Sequence, residues 1–140
     1  MPHNITSSSV ALVGGKVVAT TSNGINEDHD HIPSPKAPAL IMLNATTGEL
    51  ESVEQAGISK ATMHCNWSSP CIGERSGSPA IFFGGGDGFL HAFDPTGKKL
   101  EGSSSVMGEY WRVDANAPEY RLDQDGKPRE YPSYLSLIHI

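Results

Sequence analysis

Two cysteines, no basic cluster and no long apolar run set the first limits on this 140-residue chain. Lys and Arg number 10 against 16 Asp and Glu, for a formal charge of −6, which excludes a surface built for nucleic acid or for an anionic membrane. No segment approaches the ~20 apolar residues that span a bilayer. The amino terminus, MPHNITSSSVALVGG, lacks a cationic start and a long apolar centre, so it is not a recognisable secretion signal. For an exported protein that signal is expected upstream. Cys65 and Cys71 lie in a segment that reads as extended, which puts their Cα atoms roughly 20 Å apart. A disulfide needs less than about 7 Å, so the two are not expected to bond to each other. Two thiols also fall short of a structural zinc site. No window carries the apolar stripe of an amphipathic helix.

Glycine and proline are plentiful instead: 15 Gly and 10 Pro fall in short clusters between apolar runs, the composition of a turn-rich all-β chain. Two units of the chain repeat each other. His3 and Ser7-Ser8 match His64 and Ser68-Ser69, Asn23-Gly24 matches Asp87-Gly88, and Asn44 matches Asp94. The spacing changes only at turn-like residues and at an extra segment, 25–38, in the first unit. Each unit is expected to hold four strands: 10–13, 16–21, 39–43 and 49–53 in the first, and 68–72, 80–84, 89–93 and 109–113 in the second. The runs VALV, KVVAT, ALIML and AIFF are apolar at consecutive positions, which implies strands covered on both faces. Four short antiparallel strands per unit, stacked on neighbouring units, predict β-propeller blades.

The stretch 82–93, FFGGGDGFLHAF, offers two readings. A phosphate-binding glycine loop needs a Lys followed by Ser or Thr after the glycines and a helix opening there, and the sequence has neither. The preferred reading is a hairpin turned at Asp87-Gly88 by a two-residue type I′ turn. After each third strand stands an Asx-Thr-Gly turn, Asn44-Ala45-Thr46-Thr47-Gly48 and Asp94-Pro95-Thr96-Gly97, in which the Asx side chain accepts a backbone N–H two residues on.

Set in this repeat, AFDPTGK at 92–98 resembles the blade-closing motif of pyrroloquinoline-quinone (PQQ) repeat propellers, the quinoprotein alcohol dehydrogenase-like superfamily. The resemblance spans nearly all of 2–134, including HIPSPKAPALIMLNATTGEL and MHCNWSSP, and is similar to the PQQ-binding-like repeat proteins of planctomycete-type bacteria. It implies a propeller fragment of about two four-stranded blades: the first at 1–53 with its insertion 25–38, the second at 54–113, and 114–134 leading toward a third. The final six residues, LSLIHI at 135–140, resemble a translated sequencing-library adapter and are set apart from the fold. In the family a Trp follows the turn lysine by three residues and docks against the neighbouring blade; here Glu101 follows in the second unit. Ser52 stands near that place in the first unit, and Trp111, after an excursion through 102–108, is the candidate in the second. Exported bacterial relatives imply a periplasmic or other extracytoplasmic location, with the remaining blades of the same chain as first partner and a protein or small molecule as a further one. Isolated, the two blades are expected to expose strand edges and apolar faces, and to associate.

No residue is assigned a catalytic role, and the serines lack a paired base. The densest set of metal-capable side chains is Glu27, Asp28, His29, Asp30 and His31 in the insertion, suited to a hard or borderline divalent cation. The plainer reading is a solvated loop braced by Pro33, Pro35 and Pro38. His64, Asn66 and Trp67 read first as a structural His and a buried Trp, and second as part of a polar ring. Dehydrogenases of the family carry PQQ and calcium on the propeller axis beneath an adjacent-cysteine disulfide. Here no Cys-Cys pair and no mappable ligand motif is present, so cofactor residues stay unassigned and a binding or assembly platform is the first expectation. A dehydrogenase completed by further blades is the alternative.

Overall fold

The computed structural model describes residues 5–99, 105–117 and 121–128. Among them are ten strands, a single 3-10 turn at Ile58–Lys60 and no α-helix. Strands β1 (Ala11–Val13), β2 (Lys16–Thr20), β3 (Leu40–Asn44) and β4 (Leu50–Glu54) form one antiparallel meander. A second runs through β5 (Cys71–Arg75), β6 (Ser78–Gly84), β7 (Phe89–Phe93) and β10 (Glu109–Asp114). Between β7 and β10 the chain crosses back to the first sheet. There β9 (Ser105–Met107) lies parallel to β4, and β8 (Lys98–Lys99) pairs with β9. The result is a six-stranded sheet, β1-β2-β3-β4-β9-β8, and a four-stranded sheet, β10-β7-β6-β5, neither of them closed. The expected fourth strand at 109–113 is β10, and the excursion before it straps the second unit to the first. Residues 118–120 and 129–140 fall outside the described residues; 121–128 form a turn closed by the bridge Leu122 to Pro128, with Arg121 reaching back to the Asn116 carbonyl and to Asp114.

Turn chemistry explains the strand boundaries, with two corrections. Gly14 and Gly15 (φ 54° and 76°), and Ser76 and Gly77 (φ 51° and 77°), form the paired left-handed geometry of two-residue hairpins whose twist matches the flanking strands. Gly73 to Arg75 therefore belong to β5, and the strand expected at 68–72 is displaced to Cys71–Arg75. The turn around Asp87-Gly88 is not the expected two-residue type I′. Gly88 N–H donates to the Gly85 carbonyl (3.0 Å) and Gly85 N–H to Phe89 (2.8 Å), while only Gly88 has a positive φ, 83°. Three glycines and an Asp thus make a wider turn in which Asp87 keeps an ordinary backbone and its side chain is free to turn inward. The Asx turns form as read. Asn44 Oδ1 accepts Thr46 N–H (2.9 Å) and Asp94 Oδ1 accepts Thr96 N–H (2.8 Å).

The repeat is visible in the ladder itself. Aligning Asn44 with Asp94 matches the cross-strand row Val18, Met42, Ser52 with the row Phe82, Ala92, Trp111. A register shift interrupts the pairing of third and fourth strands in both sheets, at Met42/Leu43 and at Glu109/Trp111. The sheets pack face to face. Val18, Leu40, Met42 and Met107 of the first meet Ile81, Phe83 and Phe93 of the second, with Ile58 joining from the 3-10 turn. Each such side chain contributes about 1.5–3 kcal/mol by leaving water. Coverage on both faces, expected from the consecutive apolar residues, holds only for these inner faces, because two sheets have one mutual interface.

Candidate functional site

An ionic cluster, buried at His91 and Asp87 and open to solvent at Glu109, ties β7 to the turn before it and to β10. His91, on β7, is fully buried. Its Nε2 lies 3.1 and 3.2 Å from the two carboxylate oxygens of Asp87, and its Nδ1 lies 2.7 Å from Glu109 Oε1 on β10. Ionised carboxylates only accept, so the two contacts together favour the doubly protonated ring, in which both nitrogens donate. Burial pulls the imidazole down, and the hydrogen bonds and charges of Asp87 and Glu109 together outweigh it, leaving the His91 pKa above its ordinary value. Phe93 stacks on the ring at 5.6 Å, and Asp87 also accepts Phe89 N–H (3.2 Å). With no solvent contact, His91 acts as a brace between turn and edge strand. Sequence reasoning read Asp87 only as a turn former; the available signal was Asp and His four apart across a glycine turn, followed by a Glu at the strand expected next to it.

The segment around Asn66 joins the two units. Asn66 is fully buried, its Nδ2 donating to the Thr21 carbonyl (3.1 Å) and its Oδ1 accepting Gly86 N–H (2.9 Å). Beside it Ile25 N–H donates to the Met63 carbonyl (2.6 Å). A Cβ on Gly24 would lie 1.5 Å from the His64 carbonyl oxygen, so only glycine fits this crossing. His64 stacks on Trp67 at 6.2 Å and meets His29 edge-on at 5.7 Å. His64, Asn66 and Trp67 thus pack between the units and under the insertion.

In the insertion, Asn26 is buried while Glu27, Asp28, His29, Asp30 and His31 are exposed. Asn26 Oδ1 accepts the N–H groups of Asp30 (3.1 Å) and His31 (3.4 Å), and His29 Nδ1 contacts the Glu27 carbonyl at 2.9 Å. The His31 imidazole, 2.5 Å from Asp30 Oδ1, holds that carboxyl below its ordinary value. Among the described residues no three His, Cys, Asp or Glu side chains converge on a point that would hold an ion. Cys65 and Cys71 are both free thiols, the first buried and the second exposed.

The broadest unassigned surfaces are the outer faces of the two sheets. On the six-stranded sheet the rows Leu12, Val17, Leu43, Leu50 and Ala19, Ile41, Val53, Val106 face away from the core, with Leu12 68% and Leu50 48% exposed. On the four-stranded sheet Phe82 and Trp111 touch at 5.9 Å on the outer face beside Leu90 and Val113. Trp111 is 37% and Val113 56% exposed, so Trp111 is neither buried in this core nor covered by a neighbouring sheet. Its counterpart Ser52 is buried beside the turn at Gly97, where an added Cβ would lie 3.2 Å from its Oγ, and its hydroxyl has no hydrogen-bond partner among the described residues. A shallow cleft of about 420 Å³ over Ser52 is edged by Lys16, Glu51, Thr96, Gly97 and Ser105. No described helix is long and apolar enough to cross a membrane.

Comparison with family profiles, with characterised proteins and with solved structures finds no match to this chain.

Proposed function

We propose that the two sheets are adjoining blades of a PQQ-like β-propeller in an exported bacterial protein, and that this part of it serves as a binding and assembly platform. One observation carries the reading: the position that is the buried Ser52 in the first unit, in the cross-strand row of Val18 and Met42 that meets the other sheet, is Trp111 in the second, on a face that no further described sheet covers. A ring of such units places every outer face against a neighbour, which disposes of exposed apolar surface and leaves the loops at the ring's mouth for ligands. In this reading the strap through β8 and β9 locks the two blades as one unit, and the insertion 25–38 supplies a loop on one of them.

The full reading frame of the gene provides the test. It should encode further four-stranded repeats ending in Asx-Thr-Gly turns, and the longer polypeptide should shield Trp111 from acrylamide quenching in a Trp67→Phe background. A longer polypeptide without such repeats, or one whose Trp111 stays fully quenchable, overturns the reading. Adjacent cysteines with axial acidic residues in that frame, together with dye reduction on adding PQQ and calcium, would assign the protein to the dehydrogenases instead.

A further inference from the structure

The insertion and the connection that follows β4 build a cleft of about 320 Å³, with Pro35, Lys36 and Ala37 on one wall and Glu54, Gly57 and Lys60 on the other. One carboxylate pins the two walls together. Glu54, 3% exposed at the end of β4, accepts Ala39 N–H on Oε1 (2.8 Å), just past the first wall, and Ala56 N–H on Oε2 (2.6 Å), within the second. Each wall is also turned by its own backbone. Ala37 N–H donates to the Ser34 carbonyl (3.0 Å) and Lys60 N–H to the Gly57 carbonyl (3.1 Å). The described lining comes from 35–60 alone, so the cleft is a property of this one unit and is formed in advance of any occupant.

The charges around it do not cancel. Lys36 and Lys60 are exposed, and neither forms an ion pair among the described residues. Against these two cations the lining sets only Glu54, which leaves one positive charge in excess on a chain of net charge −6. Lys60 folds back over its own turn. A Cβ on Gly57 would lie 3.5 Å from Lys60 Cδ and 3.6 Å from its Cε and Nζ, so the end of the side chain follows the bare glycine backbone and the ammonium is held at the cleft. A side chain placed before binding loses less freedom on binding. Lysine ammonium is a compact point charge suited to an oxyanion, and Pro35 and Ala37 offer a small apolar wall beside it. The volume lies at the lower end of the ~300–1,000 Å³ of small-molecule sites.

We propose that this cleft binds a small monocarboxylate, its oxygens on the Lys36 and Lys60 ammonium groups and a short apolar body against Pro35 and Ala37. The single excess positive charge matches one carboxylate, and the buried Glu54 repels a second. The inference goes beyond the propeller reading and stands without it, because the site is complete within one unit.

Titration calorimetry of the full chain with butyrate tests it, with succinate, inorganic phosphate and butylammonium for comparison. Butyrate should saturate one site, more weakly as salt is raised, whereas succinate and phosphate should bind less tightly and butylammonium not at all. Lys36→Gln and Lys60→Gln should each weaken butyrate roughly two- to fivefold, the worth of an exposed charge pair, with an unchanged far-ultraviolet spectrum. Lys60→Glu should abolish binding. Lys127→Gln, which alters an exposed lysine outside the cleft, should change nothing. On the unaltered chain, butyrate should shift the amide resonances of Ala37, Gly57 and Lys60. Absence of saturable butyrate binding, tighter binding of succinate or phosphate, an equal effect of Lys127→Gln, or resonance shifts confined to other segments would each overturn the proposal. None of these results bears on the propeller reading, which turns on the further repeats and on the shielding of Trp111.

Discussion

The brace at His91 yields the most demanding prediction. His91→Leu removes the cation shared by Asp87, whose side chain is 8% exposed, and Glu109, while keeping an apolar group of similar bulk against Phe93. Stranding a buried carboxylate in this way costs about 3–5 kcal/mol. That is a large share of the ~5–15 kcal/mol by which domains are stable. Adding Asp87→Asn and Glu109→Gln neutralises the stranded groups, and most of the loss should return. The pH dependence has a definite sign. The folded pKa of His91 is raised above its unfolded value of about 6.5, so the stabilisation is fully present below about 6.5 and is lost as pH rises through the folded pKa. Urea unfolding should therefore show stability falling from neutral into alkaline solution for the wild type, and a flatter profile for His91→Leu. The measurements belong at low concentration, where association does not add to stability. A His91→Leu cost below about 1 kcal/mol, the ordinary effect of a substitution, or a wild-type stability that rises with alkalinity, would refute the brace.

Other consequences are simpler to read. Asn66→Ala leaves the Thr21 carbonyl and the Gly86 N–H without partners in the interior and should cost about 2–4 kcal/mol in urea unfolding, whereas a surface-like effect would show that the pin carries nothing. Gly24→Ala, with its Cβ driven onto the His64 carbonyl, should abolish folded protein or expose the insertion to protease, and a variant as stable as wild type would contradict the crossing. Burial pushes the Cys65 thiol up to about 11, and its hydrogen is donated to the Ile5 carbonyl (3.2 Å), so a thiol reagent should titrate Cys71 in the native protein and both cysteines only in denaturant.

Strand by strand, the pattern was legible where local chemistry decides. Asx-Thr-Gly turns at Asn44 and Asp94 mark the ends of β3 and β7 without reference to anything distant, and the hairpin glycines mark β1–β2. Even β10 was legible after its excursion, since EYWRVD reads as a strand wherever it lies. The turn at 85–88 was misread because three glycines permit several geometries, and the choice falls to Asp87, whose carboxylate is drawn inward by His91. The brace was invisible for the same reason: Glu109 and His91 meet only once β10 pairs with β7. The metal-capable residues of the insertion illustrate the converse. Their density in sequence does not bring three of them to one point: Asn26 holds the loop by accepting two backbone N–H groups, His31 pairs with Asp30, and His29 packs on His64.

The sequence by itself determined that the chain is all-β, built from two similar units of short strands parted by glycine and Asx turns, since those signals act over a few residues. Only the tertiary structure decided that β8 and β9 cross to the other sheet, that His91 is clamped between two carboxylates, and which apolar faces meet and which stay open. Those outcomes depend on register and on stacking between segments far apart in the chain, and a shift of one residue exchanges the two faces of a strand.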